Sequence, residues 1–101
     1  MARLGPEAVV ERHLRRRVEA AGGWCLKFVS TRAGVPDRIV VLNGHVLFVE
    51  LKAPSELKHG LPALQRVWHE RLRRSGNDER LVRVVCTTQM ADELVAELTK
   101  G

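Results

Sequence analysis

The dipeptide Asn43-Gly44, flanked by two apolar runs, constrains the fold of this chain more than any other feature. A two-residue hairpin loop of type I′ needs positive φ at both central positions, and Asn followed by Gly meets that need at least cost. Pairing then runs outward from Leu42 opposite His45 to Asp37 opposite Glu50, along strands Asp37 to Leu42 and His45 to Leu51. Counted from the turn, Asp37 and Glu50 form a non-hydrogen-bonded pair, the closer of the two antiparallel kinds. Two carboxylates directly opposite each other repel and destabilise a sheet. Lys52, two residues beyond Glu50, points to the same face. The rest of the hairpin is almost entirely Ile, Val, Leu and Phe. A bound divalent cation would offset the repulsion in such an arrangement.

Both faces of the hairpin are apolar. Ile39, Val41, Val46 and Phe48 lie on one, and Val40, Leu42, Leu47, Val49 and Leu51 on the other. This pattern predicts central strands covered on both sides.

The chain has 101 residues, enough for one modest domain and not two. No run is long and apolar enough to span a bilayer, and no apolar N-terminal segment resembles a signal peptide. The expectation is a soluble, cytoplasmic protein without a membrane partner. Cys25 and Cys86 fall inside strand-like apolar runs and read as buried, reduced thiols rather than a secreted scaffold. The net charge of +5 suits an anionic partner such as nucleic acid. The four aromatics, Trp24, Phe28, Phe48 and Trp68, read as core residues, which argues against binding single strands by base stacking.

Along the chain, residues 6 to 21 read as a helix, with Pro6 at a first helical position and Val10, Leu14, Val18 and Ala21 on one face. Glu7 and Glu11 fall on that same face. Gly22-Gly23 ends the helix, and Trp24 to Val29 reads as a strand. The hairpin follows, then a loop from Pro54 to Pro62. A second helix is expected from Pro62 to Ser75 with Leu61, Leu64, Trp68 and Leu72 inward, and Gln65 at the edge of that stripe. Leu81 to Cys86 reads as a fourth strand. Thr88 is the expected N-cap of a last helix, Gln89 to Leu98. The predicted class is α/β, with a mixed four-stranded sheet flanked by helices in the order α-β-β-β-α-β-α.

Hard cations such as Mg²⁺ take oxygen ligands, and their sites typically combine one or two carboxylates with substrate phosphate and water. Asp37 and Glu50 supply the carboxylates, and the backbone carbonyl of Leu51 is a further candidate ligand. Lys52 would orient a water, help deprotonate it, or neutralise charge on a phosphate; the sequence leaves the three roles open. Glu11 is a second anomaly, because an acid on an apolar helix face is costly to bury unless paired or bound to metal. Glu7 is a reserve candidate, since a first-turn acid also suits the helix dipole. Gln65 is a third anomaly, a polar side chain at an inner stripe. His13, His45, His59 and His69 show no metal-ligand spacing, with His69 expected on a helix surface. No phosphate-binding glycine loop, nucleophile elbow or Cys–His pair is present. Arg15-Arg16-Arg17 and Arg71, Arg73 and Arg74 read mainly as solvated helix backs. Lys27, Ser30, Arg32 and Lys58 are candidate contacts to nucleic-acid phosphates.

In chain order, Glu11, Gly-Val-Pro-Asp37-Arg, Val-Glu50-Leu-Lys52 and Gln65 in a following helix resemble the PD-(D/E)xK nuclease superfamily. Within it the chain resembles a stand-alone VRR-NUC domain of the phage and bacterial type, from about Glu7 to Cys86. The run Ala-Val-Val-Glu11-Arg to Gly22 is also similar to archaeal Holliday junction resolvases, where a first-helix glutamate completes the metal site. The resemblance implies a restriction-endonuclease-like core and a Mg²⁺- or Mn²⁺-dependent phosphodiesterase acting as a homodimer on branched DNA. It implies Glu11, Asp37 and Glu50 as metal ligands, Lys52 as the catalytic lysine and Gln65 as a supporting residue. Ser30 or Thr31 lies where resolvases place a functional serine. Flap or nonspecific duplex cleavage by the same chemistry is an alternative, as is a non-catalytic DNA-binding protein with a degenerate nuclease fold. The expected setting is the cytoplasm of a bacterial host or phage-infected cell.

Overall fold

The computed structural model describes residues 5–100. The chain starts with helix α1 (Pro6–Ala20), whose Pro6 occupies the first turn, where a missing N–H costs nothing. Val10, Leu14 and Val18 form its buried stripe. Gly22, at φ 93°, turns the chain out of the helix. Gly23 is needed for a different reason: a Cβ there would sit 2.4 Å from the Val41 carbonyl oxygen.

Three antiparallel strands follow: β1 (Trp24–Lys27), β2 (Arg38–Leu42) and β3 (His45–Leu51). The β2–β3 loop is Asn43-Gly44, with φ of 50° and 82°, and Leu42 pairs with His45 as the turn chemistry requires. The ladder ends one residue sooner than the sequence suggests, at Arg38 opposite Val49, so Asp37 stands just outside it. After a 3₁₀ turn (Pro54–Leu57) come α2 (Ala63–Ser75), β4 (Val82–Val85) and α3 (Thr88–Thr99). β4 pairs parallel to β3, placing Val84 beside Glu50. The sheet order is β1-β2-β3-β4, a mixed sheet with β3 next to its only parallel neighbour.

Helices α1 and α3 pack together on one sheet face, over Cys25, Val40, Leu42, Leu47, Val49 and Leu51, and form the core. Cys25 and Cys86 are free thiols, and burial pushes the Cys25 thiol up to about 11. Cys86 is only half-buried.

The opposite face differs from expectation. Helix α2 covers only its β4 side, where Val82 is buried. Toward β1 that face is open: Trp24 is 61% exposed, Val46 60% and Leu26 50%. The aromatic content of β1 is thus a surface feature and not part of the core. Apolar alternation reports which side chains share a face; it carries no information on whether a second layer reaches that face.

Helix α2 is also rotated from its expected setting. Leu64 is half-exposed, and the buried residue of the helix is His69, at 1% exposure. The last helix begins earlier than predicted, because Thr87, not Thr88, is its cap and accepts a 3.0 Å hydrogen bond from the Met90 backbone N–H. Among the described residues no helix is long and apolar enough to cross a membrane.

Candidate active site

Glu50 and Lys52 lie at the end of β3, and Asp37 stands just outside the neighbouring end of β2. Strand alternation turns Glu50 and Lys52 to the face that α2 partly covers, as the hairpin register requires. Glu50 is 7% exposed, a carboxylate buried on the central strand. Its one ion-pair partner among the described residues is His69, whose Nε2 lies 3.4 Å from Oε1. Lys52 is mostly buried, with Nζ 4.0 Å from Glu56 Oε2. Glu56 is fixed in turn by its other oxygen, which accepts a 2.7 Å hydrogen bond from the Ala53 N–H. That bond holds the Glu56 carboxyl below the usual range.

Asp37 is half-exposed at the entry to β2. Its carbonyl accepts from the Phe28 N–H at 2.7 Å, continuing the β1–β2 pairing by one step. Its carboxylate pairs with Arg38 Nη1 at 3.0 Å. Arg38 also reaches Glu11, at 3.9 Å, so one guanidinium stands between two of the predicted metal ligands.

The first helix brings two acids to this end of the sheet. Glu7, Glu11, Gly5, Ala8, Arg38 and Leu51 line an open cleft of about 360 Å³. Glu11 is committed to Arg15 (3.5 Å) and Arg38. Partial burial and a hydrogen bond to Glu56 raise the Glu7 carboxyl; Lys52 opposes the rise and Asp37 adds to it. Glu7, one helical turn before Glu11, thus feels the charges of Glu56, Lys52 and Asp37. The sequence holds both acids on one face, and only the docking of α1 on the sheet distinguishes them.

Gln65 and His69 lie one turn apart on the inner side of α2. Each has a buried polar atom without a partner, Oε1 of Gln65 and Nδ1 of His69. Gln65 is where its sequence position implied; His69, expected on the surface, is buried instead. Arg32 stacks on Trp68 at 5.4 Å from its ring centroid, and Arg71 does the same at 5.1 Å. The Ser30 hydroxyl accepts from the Arg32 N–H at 3.0 Å, which fixes the loop. Lys27 and Lys58 are exposed and unpaired among the described residues. A second cleft of about 340 Å³ lies at the hairpin-turn end, remote from these acids and closed by the bidentate Arg83–Glu97 pair.

No three Asp, Glu, His or Cys side chains among the described residues are grouped to hold a metal. A Mg²⁺-type site does not need three, because one or two carboxylates and a substrate phosphate suffice. The hard oxygen donors of Asp37, Glu50 and the Leu51 carbonyl match that chemistry, and the buried, thinly partnered Glu50 carboxylate fits a cation.

A mixed sheet flanked by helices, with acids and a lysine at the end of its central strand, defines a nuclease fold of the restriction-endonuclease type. A solved structure described as a VRR_NUC domain superposes with a TM-score of 0.74, at 30% identity over 92% of this chain and 97% of its own. The chain belongs to the VRR-NUC family. A phage protein named "Putative nuclease p44", from Acyrthosiphon pisum secondary endosymbiont phage 1, is 54% identical over 56 residues. That match spans 54% of this chain and 60% of the phage protein. No family model matches the chain.

Proposed function

We propose that this chain is a divalent-metal-dependent DNA endonuclease that hydrolyses phosphodiester bonds in branched DNA, four-way junctions above all, as a homodimer. The observation that carries the reading is the buried Glu50 carboxylate on the central strand, two residues from the largely buried Lys52 amine and at the end of the sheet that receives Asp37 and Glu7. The phage relative's name and the family likeness support the reaction class. The net charge of +5 supports a polyanionic substrate.

Asp37, Glu50 and the Leu51 carbonyl would hold Mg²⁺ or Mn²⁺, with an α1 acid, Glu7 or Glu11, completing the set. When bound, the ion supplies a Lewis acid against the charge that develops on the scissile phosphate. Lys52, held by Glu56, sets a positive charge beside that phosphate and stabilises the transition state more than the ground state. Gln65 offers its free Oε1 as an acceptor to orient the attacking water. Arg32, fixed against Trp68 and by Ser30, and the exposed Lys27 and Lys58 bind backbone phosphates on either side.

One chain carries one such site, and cutting two strands across a junction symmetrically takes two, most simply in a C2 pair. The open face of Trp24, Leu26 and Val46 supports a second copy as its cover, since an apolar patch of this kind marks an interaction surface.

The test is cleavage of labelled four-way junction, flap and linear duplex with Mg²⁺, Mn²⁺ or EDTA. The expected result is metal-dependent cutting, fastest on the junction and absent in EDTA. Equal rates on all three substrates would make the protein a nonspecific nuclease. Junction binding without cleavage in either metal would make it a binding protein on a nuclease fold.

A further inference from the structure

We infer that His69 is a positioning residue for the Glu50 carboxylate, a role that rests on the metal-nuclease reading above. His69 is 1% exposed, and Glu50 is 7% exposed. The contact between Nε2 and Oε1, at 3.4 Å, is long for a hydrogen bond, and it is the only side-chain hydrogen bond that either residue makes among the described residues. With a carboxylate as acceptor, Nε2 carries the proton and donates, so Nδ1 is left as a lone-pair acceptor. Nδ1 is buried and unpartnered.

Packing alone does not account for an imidazole at this position. The environment is the underside of an amphipathic helix against a sheet, where a leucine would fill the same space without burying a bare nitrogen. The cost is tolerated because the ring performs a task an apolar side chain cannot. A carboxylate on a strand rotates about three side-chain bonds, and a donor held from a second element restricts which oxygen faces the strand end. The second element is itself held: Arg73 on α2 donates at 2.9 Å to the Val82 carbonyl of β4, the strand that also carries Glu50's neighbour Val84. The ring thus reaches Glu50 from a helix tied to the same sheet. Gln65, one turn away on the same face, brings a second unpartnered acceptor to this interior. The inner side of α2 is therefore polar where it passes over Glu50.

The test compares His69→Met, which keeps an apolar volume and removes the donor, with His69→Gln, which restores an N–H near the position of Nε2. Mn²⁺ binding is titrated calorimetrically on the full chain without DNA, and the Mn²⁺ concentration for half-maximal junction cleavage is measured alongside. His69→Met should weaken Mn²⁺ binding about 10-fold and raise the half-maximal concentration to match. His69→Gln should recover most of the loss, while the metal-free melting temperatures of the two variants stay alike. Mn²⁺ affinity in His69→Met equal to wild type would overturn the positioning role and leave the nuclease reading standing. A wild-type chain that binds no Mn²⁺ would overturn both. Should His69→Met not fold, His69→Leu takes its place under the same criteria.

Discussion

Arg38 separates the acids of this molecule into two groups. Its guanidinium touches Asp37 at 3.0 Å and Glu11 at 3.9 Å, so Glu11 is neutralised from the sheet as well as from Arg15. Glu7 makes no ion pair among the described residues, and its carboxyl is raised first by partial burial and then by Glu56, with Lys52 opposing the rise. Glu7→Gln should therefore slow junction cleavage about tenfold or more, whereas Glu11→Gln should act mainly by lowering the melting temperature. Rates and melts measured on the same preparations check this, and the opposite pattern would return Glu11 to the metal site. Lys52→Ala should cost on the order of 100-fold or more in rate with junction affinity retained. Away from the site, Glu97 is held below its usual pKa of 4.5 by the bidentate contact to Arg83. A carboxylate depressed by folding adds stability above its unfolded pKa and loses it as pH falls through the folded one. Glu97→Gln should thus lower the melting temperature at pH 7, and its gap to wild type should close as the pH falls below 4.5 and through the depressed folded-state value. That Glu50 and Lys52 share one face of the sheet was legible because strand alternation is a property of the sequence. The pairing of Glu11 with Arg38 and the burial of His69 were not, because both depend on how a helix is rotated against the sheet.

Elements repeat this division between local and tertiary information. The hairpin followed from two residues, and its observed φ values are those its turn chemistry demands. The start of α3 was misplaced by one residue because Thr87 and Thr88 are equally good caps in sequence. Geometry selects Thr87, which has extended φ and ψ (−137° and 159°) and bonds Met90. Thr87→Ala should cost about 1 kcal/mol, a drop of roughly 5 °C in a domain of this size, while Thr88→Ala should cost little; thermal melts of the pair decide. Helix α2 was the least legible element. Its apolar residues are split between a half-exposed side carrying Leu64 and a stack in which Trp68 is flanked by Arg32 and Arg71. Leu61, Trp68 and Leu72 are partly buried as their spacing implies, but the stripe is shifted toward Gln65 and His69 and leaves Leu64 exposed.

For the whole molecule, the decisive asymmetry is between the two sheet faces. One is sealed by α1 and α3; the other is sealed by α2 only toward β4 and is bare toward β1. Trp24→Glu and Val46→Glu place charge on the bare part and should shift sedimentation from dimer to monomer without loss of the folded core. A wild-type monomer at all concentrations would remove the homodimer from the proposal. The hairpin turn has a further bearing on the molecule as a unit. Removing Gly44 leaves no room for a two-residue loop beyond Leu42 and His45, so one strand must slide by a single position against its partner. Each of the two strands has a second neighbour, β1 for β2 and β4 for β3, so a slide of either breaks a second ladder, and a slide of β2 would exchange Val40 and Leu42 with Ile39 and Val41 of the other face. The loss of one glycine at the rim remote from the acids would thus unseat the aspartate and unpack the interior together, making that turn a shared point of failure for chemistry and stability.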